Sequence, residues 1–387
     1  MRLVIRNGIV LHYDRLETGW DLIAENGTIT AVEPSAAVKT DGTVIDATGL
    51  YVLPGLIDIH THGLRDVMVD KDDIVRFSKL QAECGVTSCL VTLAAGPEAN
   101  MKRMKEILAQ TDGFRKTPNL AGFRPEIMYL ADASGGPSSS LAKPTEALTE
   151  AVWEASGGLI RIWDVSPEIE GALPFIRWCA KHGIVTSMAH SHAGIGQLRP
   201  AVDAGLSLVT HLYDLFAMPK ETDEGVYPAG VTDYINVEDR LTAEIIADGV
   251  HAHPLLVEKT LRCKGIERTV FITDSLKGSG NPPGTYEGLI PGEPVEVTLD
   301  RGIRRKSDDI LSGSAISQLI GFRNAVRKFG RSIPQASALC SRTPARVIGL
   351  PTKGHLAAGM DADVILLDAS LGLRATIIGG AVAWGNA

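Results

Sequence analysis

Eight apolar, β-branched runs recur through the middle of the chain: LIDIH (56–60), TSCLVTLAA (87–95), EIMYLAD (126–132), LIRIWDVS (159–166), IVTSMAH (184–190), LSLVTHLY (206–213), AEIIADGVH (243–251) and TVFITDS (269–275). Continuous rather than alternating hydrophobicity marks strands buried on both faces, as in a parallel sheet. Helix-like or irregular stretches such as DDIVRFSKLQAECG and ALPFIRWCAKHG separate the runs, as parallel crossovers require. Eight strands with crossovers over about 270 residues match a (β/α)8 TIM-type barrel. An open doubly wound sheet is the runner-up, but no GxGxxG turn follows the first run.

The two ends read differently. RLVIRNGIVL, DLIAENGTITAVE and GTVIDATGLYVLPG alternate like short strands with turns between them, and GMDADVILLDASLGLRATIIGGAVAWGN repeats the pattern. ENGT is a good two-residue hairpin turn, since Asn-Gly tolerates positive φ. The expected division is a small β-sandwich domain from residues 1–53 and 351–387, and a barrel from 54–350. From 277 to 307 the alternation gives way to a Gly-, Pro- and charge-rich stretch, expected as an inserted hairpin or loop. LSGSAISQLIGFRNAVRKFG then resumes as an amphipathic helix.

With a net charge of −8 and only a short RRK (304–306) as a basic run, the chain is a poor partner for nucleic acid or an anionic membrane. No apolar stretch reaches spanning length. The start, MRLVIRNGIVLHYD, has no long apolar signal region. Five scattered cysteines without a CxxC pair fit reduced, mostly buried thiols in a cytoplasm. Trp153, Trp163 and Trp178 lie on barrel elements and are expected to pack. SGGPSSS (134–140) reads as a flexible loop at the barrel mouth, and a lid is the alternative.

Reactive groups of a barrel lie at the C-terminal ends of its strands. Those ends carry His60, His62, Asp132, Asp164, His190, His192, His211, Asp248, His251 and Asp274. His60 and His62, like His190 and His192, are two apart, so in extended chain each pair faces one way. Imidazoles converging with a carboxylate suit one or two divalent ions, with Zn²⁺ first in line. Asp274, closing the last strand, can take a proton from water and return it to a leaving group. A helix N-cap is its ordinary alternative role.

These segments resemble the amidohydrolase superfamily, and more narrowly the N-acetylglucosamine-6-phosphate deacetylase family. The likeness is carried by PGLIDIHTHG (54–63), GVTSCLVT (85–92), VSPE (165–168), GIVTSMAHSHA (183–193), THLYD (210–214), IADGVHAHP (246–254), FITDS (271–275) and LSGSAISQ (311–318). SRTPARVIGL (341–350) and KGHLAAGMDADVILLD (353–368) extend it over nearly the whole chain. The resemblance implies metal ligation by His190 and His211, with His60 and His62 able to form a second metal position. It implies Asp274 as general base and then acid, and as a member of the metal-ligand set. His251, His192, Tyr213, Asp214 and Ser314 become substrate-binding candidates. The implied reaction is hydrolysis of an N-acetyl amide on an amino sugar, by a homodimer.

Three segments depart from the family's pattern. The family's third metal ligand is the Glu of an HLEGP stretch; opposite it, MYLADASGGP offers Ala131, with Asp132 one step on. Either Asp132 ligates or one ligand is missing, and in the latter case His60 and His62 carry the principal metal. A KGAH-like segment whose His polarises the carbonyl is replaced by SLAKPTEAL. The phosphate-gripping Arg of an HHRDPG-like stretch gives way to Lys220 among Glu221, Asp223 and Glu224. An acidic loop holds phosphate poorly, so the sequence points to a substrate without the 6-phosphate. Two alternatives stand beside the deacetylase. One is a lactone, ester or cyclic-amide hydrolase on the same scaffold; the other is a catalytically silent binding or assembly protein.

Overall fold

Alternation at the N-terminus builds β1 (Arg2–His12), β2 (Arg15–Glu25) and β3 (Thr28–Pro34), paired antiparallel in sequence. The turn between β2 and β3 is ENGT, with Asn26 at φ 51° and Gly27 at φ 86°, the left-handed pair that a type I′ turn demands. β4 (Thr43–Asp46) and β5 (Tyr51–Pro54) join β1 in parallel. In this computed structural model, residues 1–35, 42–133, 138–219, 223–288 and 292–385 are described.

The runs of the middle form short parallel strands. β6 (Leu56–Asp58) leads into a small antiparallel pair, β7 (Gly63–Leu64) with β8 (Val67–Met68). β9 (Val86–Leu93) then pairs in parallel with β6 and with β10 (Leu120–Pro125). β11 (Ile162–Val165), β12 (Val185–Met188), β13 (Leu208–Val209), β14 (Thr242–Ile246) and β15 (Thr269–Ile272) form a second parallel set in that order. Single parallel bridges, Phe123 to Ile160 and Thr61 to Ser275, link the two sets. Helices such as Pro97–Thr111, Ala172–Lys181 and Pro254–Lys264 connect successive strands. All eight residues of β9 are buried, as a strand covered on both faces must be.

One strand is not where the sequence reading places it. EIMYLAD is no strand; β10 precedes it, and Ile127–Tyr129 form a 3₁₀ turn. The apolar run is buried for packing instead: Tyr129 stacks on Trp163 at 5.6 Å and meets Phe175 edge-on. The strand itself carries Gly122, Arg124 and Pro125, residues that weaken any strand signal.

The stretch after β15 is more ordered than a hairpin. β16 (Gly284–Glu287), β17 (Pro294–Thr298), β18 (Gly302–Arg305) and β19 (Leu311–Gly313) make a four-stranded antiparallel sheet. Val295, Val297 and Ile303 pack its inner face against Met68 and Leu276. The amphipathic helix starts only at Gln318 and runs to Arg327. The chain then returns to the first sheet through β20 (Val364–Leu367), β21 (Leu373–Ile378) and β22 (Ala381–Gly385), with β20 antiparallel to β5. Both ends of the chain therefore share one eight-stranded sheet, around a core that includes Leu3, Ile5, Leu22, Ile29, Val364 and Ile377.

Trp163 is fully buried, while Trp153 and Trp178 pack partly exposed against the same core. Four cysteines are buried free thiols, and Cys263 is an exposed one. Among the described residues no helix is long and apolar enough to cross a membrane.

Candidate metal centre

The strand ends converge on one buried cluster. His60 and His62 follow β6, and their Nε2 atoms lie 3.3 Å apart. Asp274, two residues past β15, brings Oδ1 to 3.5 Å from His60 Nε2 and 3.3 Å from His62 Nε2. Opposite them, beyond β12 and β13, His190 Nε2 and His211 Nε2 approach to 3.1 Å.

The carboxylate between the two pairs is Glu126, the first residue after β10. Its Oε1 lies 3.1 Å from His190 Nε2 and 3.6 Å from His211 Nε2, and its Oε2 lies 3.0 Å from His62 Nε2. Two trios result, His60–His62–Asp274 and Glu126–His190–His211, with donor atoms in each within 4.8 Å of one another. Backbone strain accompanies the convergence. His190, His211 and Asp274 have φ of 39°, 28° and 47°, conformations costing about 1–3 kcal/mol each that only surrounding structure can hold.

Two carboxylates among four imidazoles draw positive charge. Burial opposes charge on His62, but Glu126 and Asp274 outweigh it and lift its pKa well above the ordinary value. Burial likewise opposes charge on His211, which Glu126, Asp214 and Asp274 nevertheless raise to about 9. For Glu126, burial alone would raise the pKa; His60 and His62, with hydrogen bonds from His190 and His211, hold it far below the carboxylate range. A divalent cation answers the same attraction without protons. Three nitrogen and oxygen donors per trio, buried and convergent, suit Zn²⁺ or another first-row ion.

The structure brings His60, His62, His190, His211 and Asp274 together, and leaves Asp132 out. Asp132 is 57% exposed and faces His192 at 3.9 Å on the surface. The cause is the position of β10. A strand ending at Pro125 delivers residue 126 to the cluster, and the 3₁₀ turn carries residue 132 away. The carboxylate that completes a trio with His190 and His211 is therefore Glu126, so that trio lacks no third donor. Set on Glu126, RPEIM takes the place of the family's HLEGP, with Arg124 where that stretch has His.

The remaining candidates divide. His251 sits half-buried with Nδ1 2.6 Å from Asp248 Oδ2, and Asp214 is close enough to act on both His211 and His251. The Tyr213 hydroxyl is engaged with Thr260 Oγ1 at 2.8 Å and accepts from Asn236 at 2.9 Å. Ser314 is buried, and its hydroxyl donates to the Thr273 carbonyl at 2.5 Å, so it is committed to holding the end of β15. His192 is exposed at the mouth, its backbone N–H donating to Glu168 at 2.6 Å. Lys220 and Glu221 lie outside the described residues, as do positions 134–137 of the expected lid.

Glu126 is the functional candidate that sequence reasoning misses. One signal is available: the helix ends at Thr111, and connections between such elements usually take about 2–6 residues. A strand beginning at 126 needs a far longer loop than one beginning at 120.

Residues 51–383 match the amidohydrolase family. The chain is 30% identical over 371 residues to the N-acetylglucosamine-6-phosphate deacetylase of Vibrio furnissii, covering 92% of this chain and 89% of that one. It is 31% identical over 382 residues to the N-acetylgalactosamine-6-phosphate deacetylase of Escherichia coli O157:H7, covering 95% and 96%. A solved structure of a mutant N-acetyl-D-glucosamine-6-phosphate deacetylase from Mycobacterium smegmatis, in complex with N-acetyl-D-glucosamine-6-phosphate, superposes with a TM-score of 0.84 at 27% identity. That match covers 99% of both chains.

Proposed function

Because the chain belongs to the amidohydrolase family, among the N-acetylglucosamine-6-phosphate deacetylases, we propose that it removes the acetyl group from an N-acetylated hexosamine 6-phosphate. It is a metal-dependent hydrolase of carbon–nitrogen bonds other than peptide bonds. The observation that carries the reading is Glu126 set against His190 and His211, with Asp274 facing the same space.

Glu126, His190 and His211 hold one divalent ion in this reading, and His60, His62 and Asp274 offer a second position; Zn²⁺ is the proposed metal. Such an ion supplies Lewis-acid polarisation of the acyl carbonyl and acidification of water. Asp274 accepts the proton of the attacking water on Oδ1 and returns it to the amine nitrogen as the C–N bond breaks. Asp248 fixes the His251 ring through Nδ1, and its Nε2 is the proposed hydrogen-bonding group for the sugar. His192 and Asp214, at the rim, are proposed as further substrate contacts.

The parallel strands β6 and β9–β15 are proposed to close as a (β/α)8 barrel over residues 54–350. Residues 1–53 and 351–387 make up a separate small β domain. The linking bridges at Phe123 and Thr61 support closure. A homodimer is proposed from the family resemblance, and a cytoplasmic location from the five free cysteines.

The acidic sequence around Lys220 argues for an unphosphorylated substrate; the relatives are named for 6-phosphates, and we follow them. Steady-state assays with N-acetylglucosamine 6-phosphate, its galactosamine epimer and unphosphorylated N-acetylglucosamine test the choice. A kcat/KM above about 10⁴ M⁻¹s⁻¹ on a 6-phosphate, well above that on the free sugar, is expected. Equal rates on phosphorylated and free sugars overturn the phosphate, and hydrolysis of lactones but not amides overturns the deacetylase. The silent-scaffold alternative loses its main support with Glu126 in place.

A further inference from the structure

Beneath the cluster, Arg124 is wholly buried and spends every N–H it has. Nε and Nη2 donate to the two oxygens of Asp164 at 2.8 and 2.9 Å. Nη1 and Nη2 donate to the two oxygens of Glu244 at 2.6 and 3.1 Å. Nη1 also reaches the Ile59 carbonyl at 3.0 Å, and Nη2 the Thr210 hydroxyl at 2.9 Å. A single planar fork therefore ties β10 to β11 and β14 and to the ends of β6 and β13, with the rigidity that only a guanidinium offers.

Charge does not balance within this group. One guanidinium faces two carboxylates, and Glu244 has another neighbour: its Oε2 lies 3.4 Å from His60 Nδ1. The opposite ring nitrogen, His60 Nε2, faces His62, Asp274 and Glu126. An imidazole that donates its Nδ1–H to a carboxylate presents a lone pair at Nε2 and is a stronger ligand for it. His62 is held differently, by a neutral acceptor, the Thr92 carbonyl 3.1 Å from its Nδ1.

We propose that Glu244, clamped by Arg124, is a positioning residue that sets the tautomer and orientation of His60 for metal binding at the His60–His62–Asp274 position. Asp164 holds the other side of the same guanidinium and touches no imidazole, so its part is structural. The inference rests on the metal dependence stated above, and not on which sugar is the substrate.

Metal titration of the full chain tests it. Purified wild type, Glu244→Gln and Asp164→Asn are stripped of metal and titrated with Zn²⁺ against a chromophoric chelator, and their melting temperatures are recorded. His62→Asn identifies the position, because it removes the corresponding step from the titration. Glu244→Gln is expected to weaken that step by about 10–100-fold, leaving the Glu126–His190–His211 step in place. Asp164→Asn is expected to lower the melting temperature and leave both steps as in wild type. Should Glu244→Gln not fold, Glu244→Asp, which draws the carboxylate back from His60, carries the same expectation.

The proposal is overturned by unchanged affinity in the Glu244 variant, by equal losses in the Glu244 and Asp164 variants, or by no step sensitive to His62→Asn. A wild type that binds metal as described but deacetylates no hexosamine refutes the functional reading alone.

Discussion

The terminal sheet and the strand ends of the parallel set each bury a carboxylate, and they satisfy it in opposite ways. In the sheet, Asp21 accepts from Arg6 Nε at 3.2 Å, from the backbone N–H of Asn7 at 2.9 Å and from the Ser35 hydroxyl at 2.5 Å. Those are donors with hydrogens to give, and they complete a structural corner. At the strand ends Glu126 meets the Nε2 atoms of four histidines, nitrogens that can equally ligate a cation. The strand ends also place three of the converging residues, His190, His211 and Asp274, at positive φ. A buried charge among donors holds a fold together; one among imidazoles, on strained backbone, marks chemistry.

The sharpest way to break that contrast is to exchange the two carboxylates for amides. Glu126→Gln should reduce deacetylation to background and weaken metal retention in dialysis against a chelator, while the thermal transition moves little. Asp21→Asn should do the reverse, lowering stability with kcat unchanged. Loss of activity in the Asp21 variant at temperatures where it is folded would end the distinction. Next in size is Asp274→Asn. Removing a positioned proton-transfer group is expected to cost about 10²–10⁴-fold in kcat, with metal content read separately by elemental analysis. A rate within about tenfold of wild type would count against the role on the scale of that principle.

Two smaller changes belong to the sheet alone. Leu22 is fully buried in its core, and Leu22→Ala should cost about 2–5 kcal/mol in denaturant unfolding. Asn26→Ala places a β-carbon residue less tolerant of φ 51° in the ENGT turn and should cost about 1–2 kcal/mol. Neither should change KM. A shift in KM with either variant would mean that the sheet reaches the site.

Much of this architecture is legible in the amino-acid sequence. Seven of the eight apolar runs overlap parallel strands, ENGT is the turn expected, and His60, His62, His190, His211 and Asp274 meet. Local pattern suffices where burial on both faces leaves a long hydrophobic run. It fails at β10, where a fully buried Arg124 looks like a surface residue until its partners on β11 and β14 are known. Those partners are 40 and 120 residues away, beyond any window of sequence. The neighbouring run IMYL, apolar because Tyr129 packs on Trp163 and Phe175 while Ile127 and Leu130 pack with Ala189, draws the strand assignment six residues downstream. Glu126 is thereby shifted from the end of a strand to its beginning. The four-stranded insertion is hidden for a different reason: its short strands alternate with glycine and proline, and only their pairing makes them a sheet.

That displacement supplies the smallest expected effect. Asp132 is the carboxylate that the sequence offers as third ligand, and in the structure it stands at the surface opposite His192. Exposed ion pairs of this kind contribute about 0–1 kcal/mol, and no donor atom of either trio comes from Asp132. Asp132→Asn should therefore leave metal stoichiometry as in wild type, and kcat within the few-fold range of an ordinary rim substitution. The two carboxylates make a matched pair six residues apart, one at the end of β10 and one beyond the turn. If the Asp132 variant loses metal as Glu126→Gln does, the chain beyond Pro125 must reach the cluster by another route, and the contrast between buried and exposed carboxylates fails with it.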